Sequence, residues 1–178
     1  LGWMWLRLPE TLHPEYRRPF TLASVMTGFK VVMTNRLSLW YTLAMSVILG
    51  ALFGFINSAQ QVYVGIYGLG VWFPIAFAAV AGLMSAASFA NSKLVMRIGM
   101  RRMSHGALVG FIAASGILAV MAAFGPVPFP IFIGLFALAM VFFGMIGSNF
   151  GAIAMEPLGA LAGTASSVQG FIQTVIGA

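Results

Sequence analysis

The sequence predicts an all-α integral membrane protein, and three observations carry that prediction. Apolar side chains make up 61% of the 178 residues and charged ones only 7%, where a soluble domain carries about 25%. The runs Leu37–Ser92 and Met103–Met155 contain no Lys, Arg, Asp or Glu, and each far exceeds the roughly 20 residues of one helical crossing. All nine Lys and Arg residues lie outside those runs. A chain with so little polar surface has lipid as its main solvent. Its net charge of +6 follows from a shortage of acids, which number three, so a nucleic-acid partner is not expected. The absence of cysteine excludes disulfides and thiolate metal sites. No metal and no cofactor are expected.

Taken in order, Leu1 to Leu8 read as the tail of an earlier span. Residues 9–35 form the only long polar segment, interrupted by Pro9, Pro14 and Pro19. Within it Leu22 to Met33 predict a short helix lying at the membrane surface. Residues 1–35 are thus expected to be a span end plus a cytoplasmic linker, and residues 36–178 a membrane bundle. Each uncharged run divides into two antiparallel crossings. The first gives spans over 37–57 and 71–90, with Ser58-Ala59-Gln60-Gln61 and Gly65, Gly68 and Gly70 in the return. The second gives spans over 107–124 and 129–150, joined by Gly125-Pro126-Val127-Pro128, the usual punctuation of a turn. A partial fifth span covers 166–178, which is shorter than the roughly 17–25 residues a crossing needs. Both ends therefore look cut, and the chain is expected to be a fragment.

Orientation follows from the cations. Arg7, Arg17, Arg18, Lys30 and Arg36 precede the first full span, and Lys93, Arg97, Arg101 and Arg102 lie between the second and third. Neither return loop carries one. The positive-inside rule makes residues 1–35 and the 91–105 loop cytoplasmic. Small residues four apart recur at Gly50/Gly54, Ala78/Gly82, Gly106/Gly110, Gly147/Gly151 and Gly159/Gly163. Such pairs let helices approach closely in lipid, and together they predict a tightly packed bundle.

The segment Ser92-Lys-Leu-Val-Met-Arg-Ile-Gly-Met-Arg-Arg102 resembles the cytoplasmic loop signature of the major facilitator superfamily, Gly-x-Leu-x-Asp-Arg-x-Gly-Arg-Arg-Arg. Leu94, Arg97, Gly99, Arg101 and Arg102 match it. Ser92, Met96 and Met100 depart from it, and the missing aspartate removes any acid-based lock at this loop. Three further stretches resemble the bicyclomycin-resistance (Bcr/CflA-type) drug–proton antiporters. These are Leu8-Pro-Glu-Thr-Leu12 with His13 and Pro14, Gly54-Phe-Ile-Asn-Ser-Ala-Gln-Gln61, and Ala154-Met-Glu-Pro-Leu-Gly159 with Ala162-Gly-Thr-Ala-Ser-Ser167. The resemblance implies the C-terminal six-helix half of a twelve-helix transporter, truncated within the eleventh span. It also implies proton-coupled efflux of small hydrophobic drugs across a bacterial inner membrane, with lipids, protons and the N-terminal half as partners. The proton-coupling acid is then expected in that other half.

Polar side chains inside a bundle are costly without partners, so each is a candidate for function. Asn57, Gln60 and Gln61 share a face at the outer end of the first span. They read either as substrate or gate contacts or as groups meeting interfacial water. Ser166, Gln169 and Gln173 share a face of the partial span. There the resemblance implies a cavity-lining role, with interhelical hydrogen bonding as the alternative. Asn149 reads as a packing or capping residue. Phe53, Phe136, Phe143 and Phe150, with Met45 and Met140, offer an adaptable apolar wall, or simply core and lipid contacts. Glu156 precedes Pro157 and so sits at a helix end, where it is a possible gating or structural acid pairing with Arg97 or Arg101.

Enzyme readings find little support. Ala113-Ala-Ser-Gly116 lacks the first glycine of an intramembrane serine protease motif, and no span offers a histidine to Ser115. No phosphate-binding glycine loop is present. Secondary active export by alternating access is the expected function. An importer of a nutrient or metabolite within the same superfamily is the alternative, with an ABC permease subunit or a membrane protease more remote.

Overall fold

The computed structural model describes Arg7 and residues 21–177. The expected span end at Leu1–Leu8, most of the linker, and the matches at Leu8–Leu12, His13 and Pro14 lie outside the described residues, apart from Arg7. Within them the chain forms six α-helices, and four stretches are long and apolar enough to cross a membrane.

Helix α1 (Leu22–Thr34) starts at Thr21, whose Oγ1 accepts from Ser24 N at 3.2 Å. Asn35 ends it and opens α2 (Arg36–Gln60), its Oδ1 accepting from Ser38 N at 3.0 Å. A π-helical turn, Gln61–Ile66, prolongs α2. A 3₁₀ turn, Gly70–Trp72, then leads into α3 (Phe73–Ile98). After Gly99 come α4 (Met100–Phe124) and α5 (Phe129–Met155). A final 3₁₀ segment, Glu156–Leu161, feeds α6 (Ala162–Gly177). Pro74 and Pro130 sit in the first turns of α3 and α5, where a missing N–H costs nothing.

Two boundaries differ from the sequence expectation. Ser58 to Gln61 and Gly65 are helical rather than part of the return. The Ser58 hydroxyl donates back to Gly54 O at 2.8 Å, so it is satisfied within its own helix. Ala59 and Tyr63, 2% and 0% exposed, reward the added turns with packing. The reversal comes later, at Gly68 (φ +64) and Gly70 (φ +52). At the opposite end, the expected 91–105 loop shrinks to one residue. Gly99, at φ +88, breaks the helix between α3 and α4 in a conformation other residues reach only with strain. Lys93 to Arg97 favour helix and contain no proline, so α3 runs on past the bilayer core. Its 26 residues span about 39 Å, against a hydrocarbon thickness of about 30 Å.

Helix α5 is the hub. Phe136, Met140, Phe143, Ile146 and Phe150 meet Ile48 of α2, Val80 of α3 and Ala107 of α4 in one apolar cluster. A second cluster joins Val32 of α1, Leu158 of the last 3₁₀ turn, and Ala165, Val168 and Ile172 of α6. Close approach depends on single glycines rather than on pairs. A Cβ on Gly144 would lie 2.5 Å from Met84 O, and one on Gly110 would lie 2.5 Å from the Phe142 ring. Gly50 faces the Gly177 backbone at 3.2 Å. Gly54, Gly82, Gly106, Gly151, Gly159 and Gly163 face open space. The i, i+4 spacing therefore marks a contact through one member at most.

Candidate functional site

The cations of residues 30–36 and 93–102 gather at the bundle end formed by the starts of α2, α4 and α6. This basic end is built from the loop-signature residues. Gly99 turns the chain, while Leu94, Arg97, Arg101 and Arg102 are exposed on the two flanking helices. Arg101 Nη2 donates to Glu156 Oε2 at 3.1 Å, both side chains more than half exposed. This pins the start of α4 to the end of α5. Tyr41 and His105 share a hydrogen bond of 2.8 Å, and both rings pack edge-on against Phe150. Lys93 Nζ lies 4.7 Å above the Phe89 ring.

Two uncharged polar seams run inward from this end. The first joins α2 to α6. Ser38, Thr42 and Ser46 recur every fourth residue and are fully buried. Gln169 Nε2 donates to Ser38 Oγ at 3.1 Å and to Ala154 O at 3.3 Å, tying α6 to both α2 and α5. Ser46 donates to Thr42 O at 2.8 Å. The second seam joins α3 to α5. Ser88 Oγ donates to Gly144 O at 2.8 Å, which the absent Cβ of Gly144 permits. Asn149 Nδ2 donates to Asn91 Oδ1 and to Met145 O, both at 2.8 Å. Asn91 Nδ2 donates to Ser148 Oγ at 3.4 Å, a long bond.

The far end is aromatic. The Tyr63 ring meets Phe55, Phe129 and Phe132 edge-on and Phe73 at a tilt, and Tyr67 donates to Val127 O at 2.9 Å, bridging the two return loops. Desolvation raises the Tyr67 pKa above its usual value, although a phenol is neutral and able to donate at physiological pH without that shift.

The structure disperses the residues singled out from sequence. Asn57, Gln60 and Gln61 are exposed near the far end, as is Phe53. Phe136, Phe143 and Phe150 are buried in the α5 core together with Met140, and Met45 rests against Gly147. Only Phe143 of these also borders the α3–α5 cleft. Ser166, Gln169 and Gln173 do not share an environment. Ser166 is exposed and bonded to Gly163 O, Gln169 is buried in the first seam, and Gln173 is half-buried. Ser115 lies ten residues along α4 from His105, about 15 Å at helical rise. Sequence reading missed Asn91, Ser88 and the Ser38–Thr42–Ser46 stripe. The i, i+4, i+8 spacing of that stripe was the available signal.

A helical bundle with four stretches able to cross a membrane, uncharged polar seams, and the cations of residues 30–36 and 93–102 at one end has the build of a multi-pass membrane protein. The comparisons agree. The chain is 34% identical over 96% of its length to a bicyclomycin resistance protein homolog of Haemophilus influenzae. It is 27% identical over 97% of its length to an uncharacterized MFS-type transporter of Bacillus subtilis. It spans about 43% of the length of each of these relatives. No family model and no solved structure matches it. Along nearly its whole length the chain is thus similar to part of two proteins, one named for bicyclomycin resistance and the other as a transporter of the major facilitator superfamily type.

Proposed function

We propose that this chain is the C-terminal half of a proton-coupled exporter of small hydrophobic drugs in a bacterial inner membrane. The observation that carries the reading is the match over nearly the whole chain to a protein named for bicyclomycin resistance. The uncharged spans support it, since a cavity for charged metabolites would need paired charges inside the bundle. Alternating access would rock this half as one body against an N-terminal half around a site near the bilayer midplane. The coupling acid belongs to that other half. Glu156, the one acid among the described residues, is exposed at the basic end and engaged with Arg101.

The test uses the full-length transporter expressed in cells stripped of their own efflux pumps. Tolerance to bicyclomycin and chloramphenicol should rise, and cellular drug should increase when an uncoupler collapses the proton gradient. Unchanged drug accumulation on uncoupling refutes proton-driven export. Uptake that increases with expression favours the importer instead.

A further inference from the structure

We infer that the cleft between α3 and α5 recognises an uncharged amide- or hydroxyl-bearing group of the exported compound, an assignment that rests on the export reading. The cleft has a volume of about 530 Å³ and is bordered by Met84, Ser88, Asn91, Phe143, Ser148 and Asn149. That volume is in the range of sites for small organic ligands, roughly 300–1,000 Å³. Apolar walls from Met84 and Phe143 enclose a floor of carboxamides and hydroxyls.

The hydrogen-bond inventory of the two asparagines defines the ligand. Asn149 uses both N–H groups, one on Asn91 Oδ1 and one on Met145 O. Its own carbonyl oxygen accepts from none of the described residues. Asn91 has its oxygen engaged by Asn149 and one N–H on Ser148 Oγ, which leaves its second N–H uncommitted. Both residues are nearly buried, at 3% and 4% exposed, yet neither contributes a sealed unpartnered atom, those among the described residues being Thr42 Oγ1 and Tyr63 OH, so the free groups of the two asparagines remain open to a ligand in the cleft. A tie between helices needs only the Asn149–Asn91 bond. The surplus is one donor beside one acceptor, complementary to an amide or a hydroxyl.

Charge excludes other ligands. Among the described residues, no Lys, Arg, Asp, Glu or His borders the cleft. A cation would find a single free carbonyl and no carboxylate, and an anion would find a single N–H. Neither offsets the loss of hydration. Position supplies the direction of loading. Asn149 lies six residues before the end of α5, and Asn91 two residues before Lys93. The asparagines are therefore within about 9 Å of the basic end, reachable from the compartment an exporter empties.

The experiment introduces Ser148→Cys into the full-length transporter, with any cysteine outside these 178 residues first replaced by serine, and measures its reaction with N-ethylmaleimide in membrane vesicles. Bicyclomycin, uncharged and rich in amides and hydroxyls, is the probe. Export of bicyclomycin is measured first in the same cells. Its absence refutes the export reading itself. Where export holds, saturating bicyclomycin should slow labelling severalfold. Asn149→Leu should raise the concentration needed for protection about five- to tenfold, the value of one lost neutral hydrogen bond, without changing the unprotected rate. If Asn149→Leu does not accumulate, Asn91→Ser removes the spare donor instead and should weaken protection similarly. Labelling that bicyclomycin leaves unchanged overturns the site alone. So does a thiol that never reacts, because the cleft would then be closed by the rest of the transporter.

Discussion

Replacing Gly144 by alanine tests whether α3 and α5 touch as closely as the structure shows. The new Cβ would lie 2.5 Å from Met84 O, 3.1 Å from Ser88 Oγ and 3.2 Å from Met84 Cγ. A backbone carbonyl cannot swing away, so the helices must part, and overpacking of this kind costs about 1–3 kcal/mol. Separation also lengthens the 2.8 Å bond from Ser88 to Gly144 O, worth about 0.6 kcal/mol on average in a membrane protein. Against this, alanine gains about 1 kcal/mol of helix propensity over glycine. The net expectation is a loss of about 0.6–2.6 kcal/mol. Two further glycines calibrate the measurement. Gly110→Ala meets the Phe142 ring, which can turn aside, so its cost should be smaller. Gly134→Ala meets nothing within 4 Å and should be neutral or stabilising. The assay is the apparent melting temperature of the full-length protein in detergent, followed by fluorescence-detected size exclusion. Gly144→Ala should melt several degrees below wild type, Gly110→Ala between the two, and Gly134→Ala at or above wild type. Equal melting of Gly144→Ala and Gly134→Ala would refute the close approach of α3 and α5.

Gln169→Leu removes bonds to Ser38 and Ala154 and should lower stability by about 1 kcal/mol. Ser38→Ala in the Gln169→Leu background should then add little, a non-additivity that a thermal double-mutant cycle detects. The Arg101–Glu156 pair is more than half exposed on both sides. A double-mutant cycle on it should return less than about 0.5 kcal/mol, vanishing at high salt.

The membrane fold was legible because charge obeys a rule the chain cannot evade. The cations of residues 30–36 and 93–102 gather at one end of the bundle, and every uncharged run is long enough to leave and return. Boundaries were less legible. Ser58, Gln60 and Gln61 look like loop residues by polarity, yet a serine can satisfy its hydroxyl on its own helix. Lys93 to Arg102 look like loop residues by charge, yet charged side chains suit a helix that projects into water. The only true break there, Gly99, was visible as a signature residue but not as the whole turn. The polar seams were illegible for a different reason. Asn91 stands next to Ser92 and Lys93 and was absorbed into the expected loop. Its partner Asn149 is 58 positions away. Nothing local to either residue announces the other, since the pairing exists only once Gly144 allows α3 to press on α5.

The two ends of the bundle are held by different physics, and this bears on how it moves. At the basic end Gln169, Ser38, Asn91, Asn149 and Ser88 make directional hydrogen bonds between helices. At the far end Phe55, Tyr63, Phe73, Phe129 and Phe132 make contacts that tolerate tilting, with Phe55 and Tyr63 meeting edge-on at 6.0 Å. Both kinds converge on α5, which carries Asn149 near one end, Gly144 in its middle, and Phe129 and Phe132 at the other end. On the export reading proposed above, a half that rocks as one body needs its helices locked to a common member, and α5 fills that position. The hydrogen-bonded end fixes the register of α2, α3 and α6 against it. Any displacement of α5 at the cleft must therefore break discrete bonds or carry the neighbouring helices along. A ligand that completes the bonding of Asn91 and Asn149 would act on the helix that α2, α3, α4 and α6 all contact.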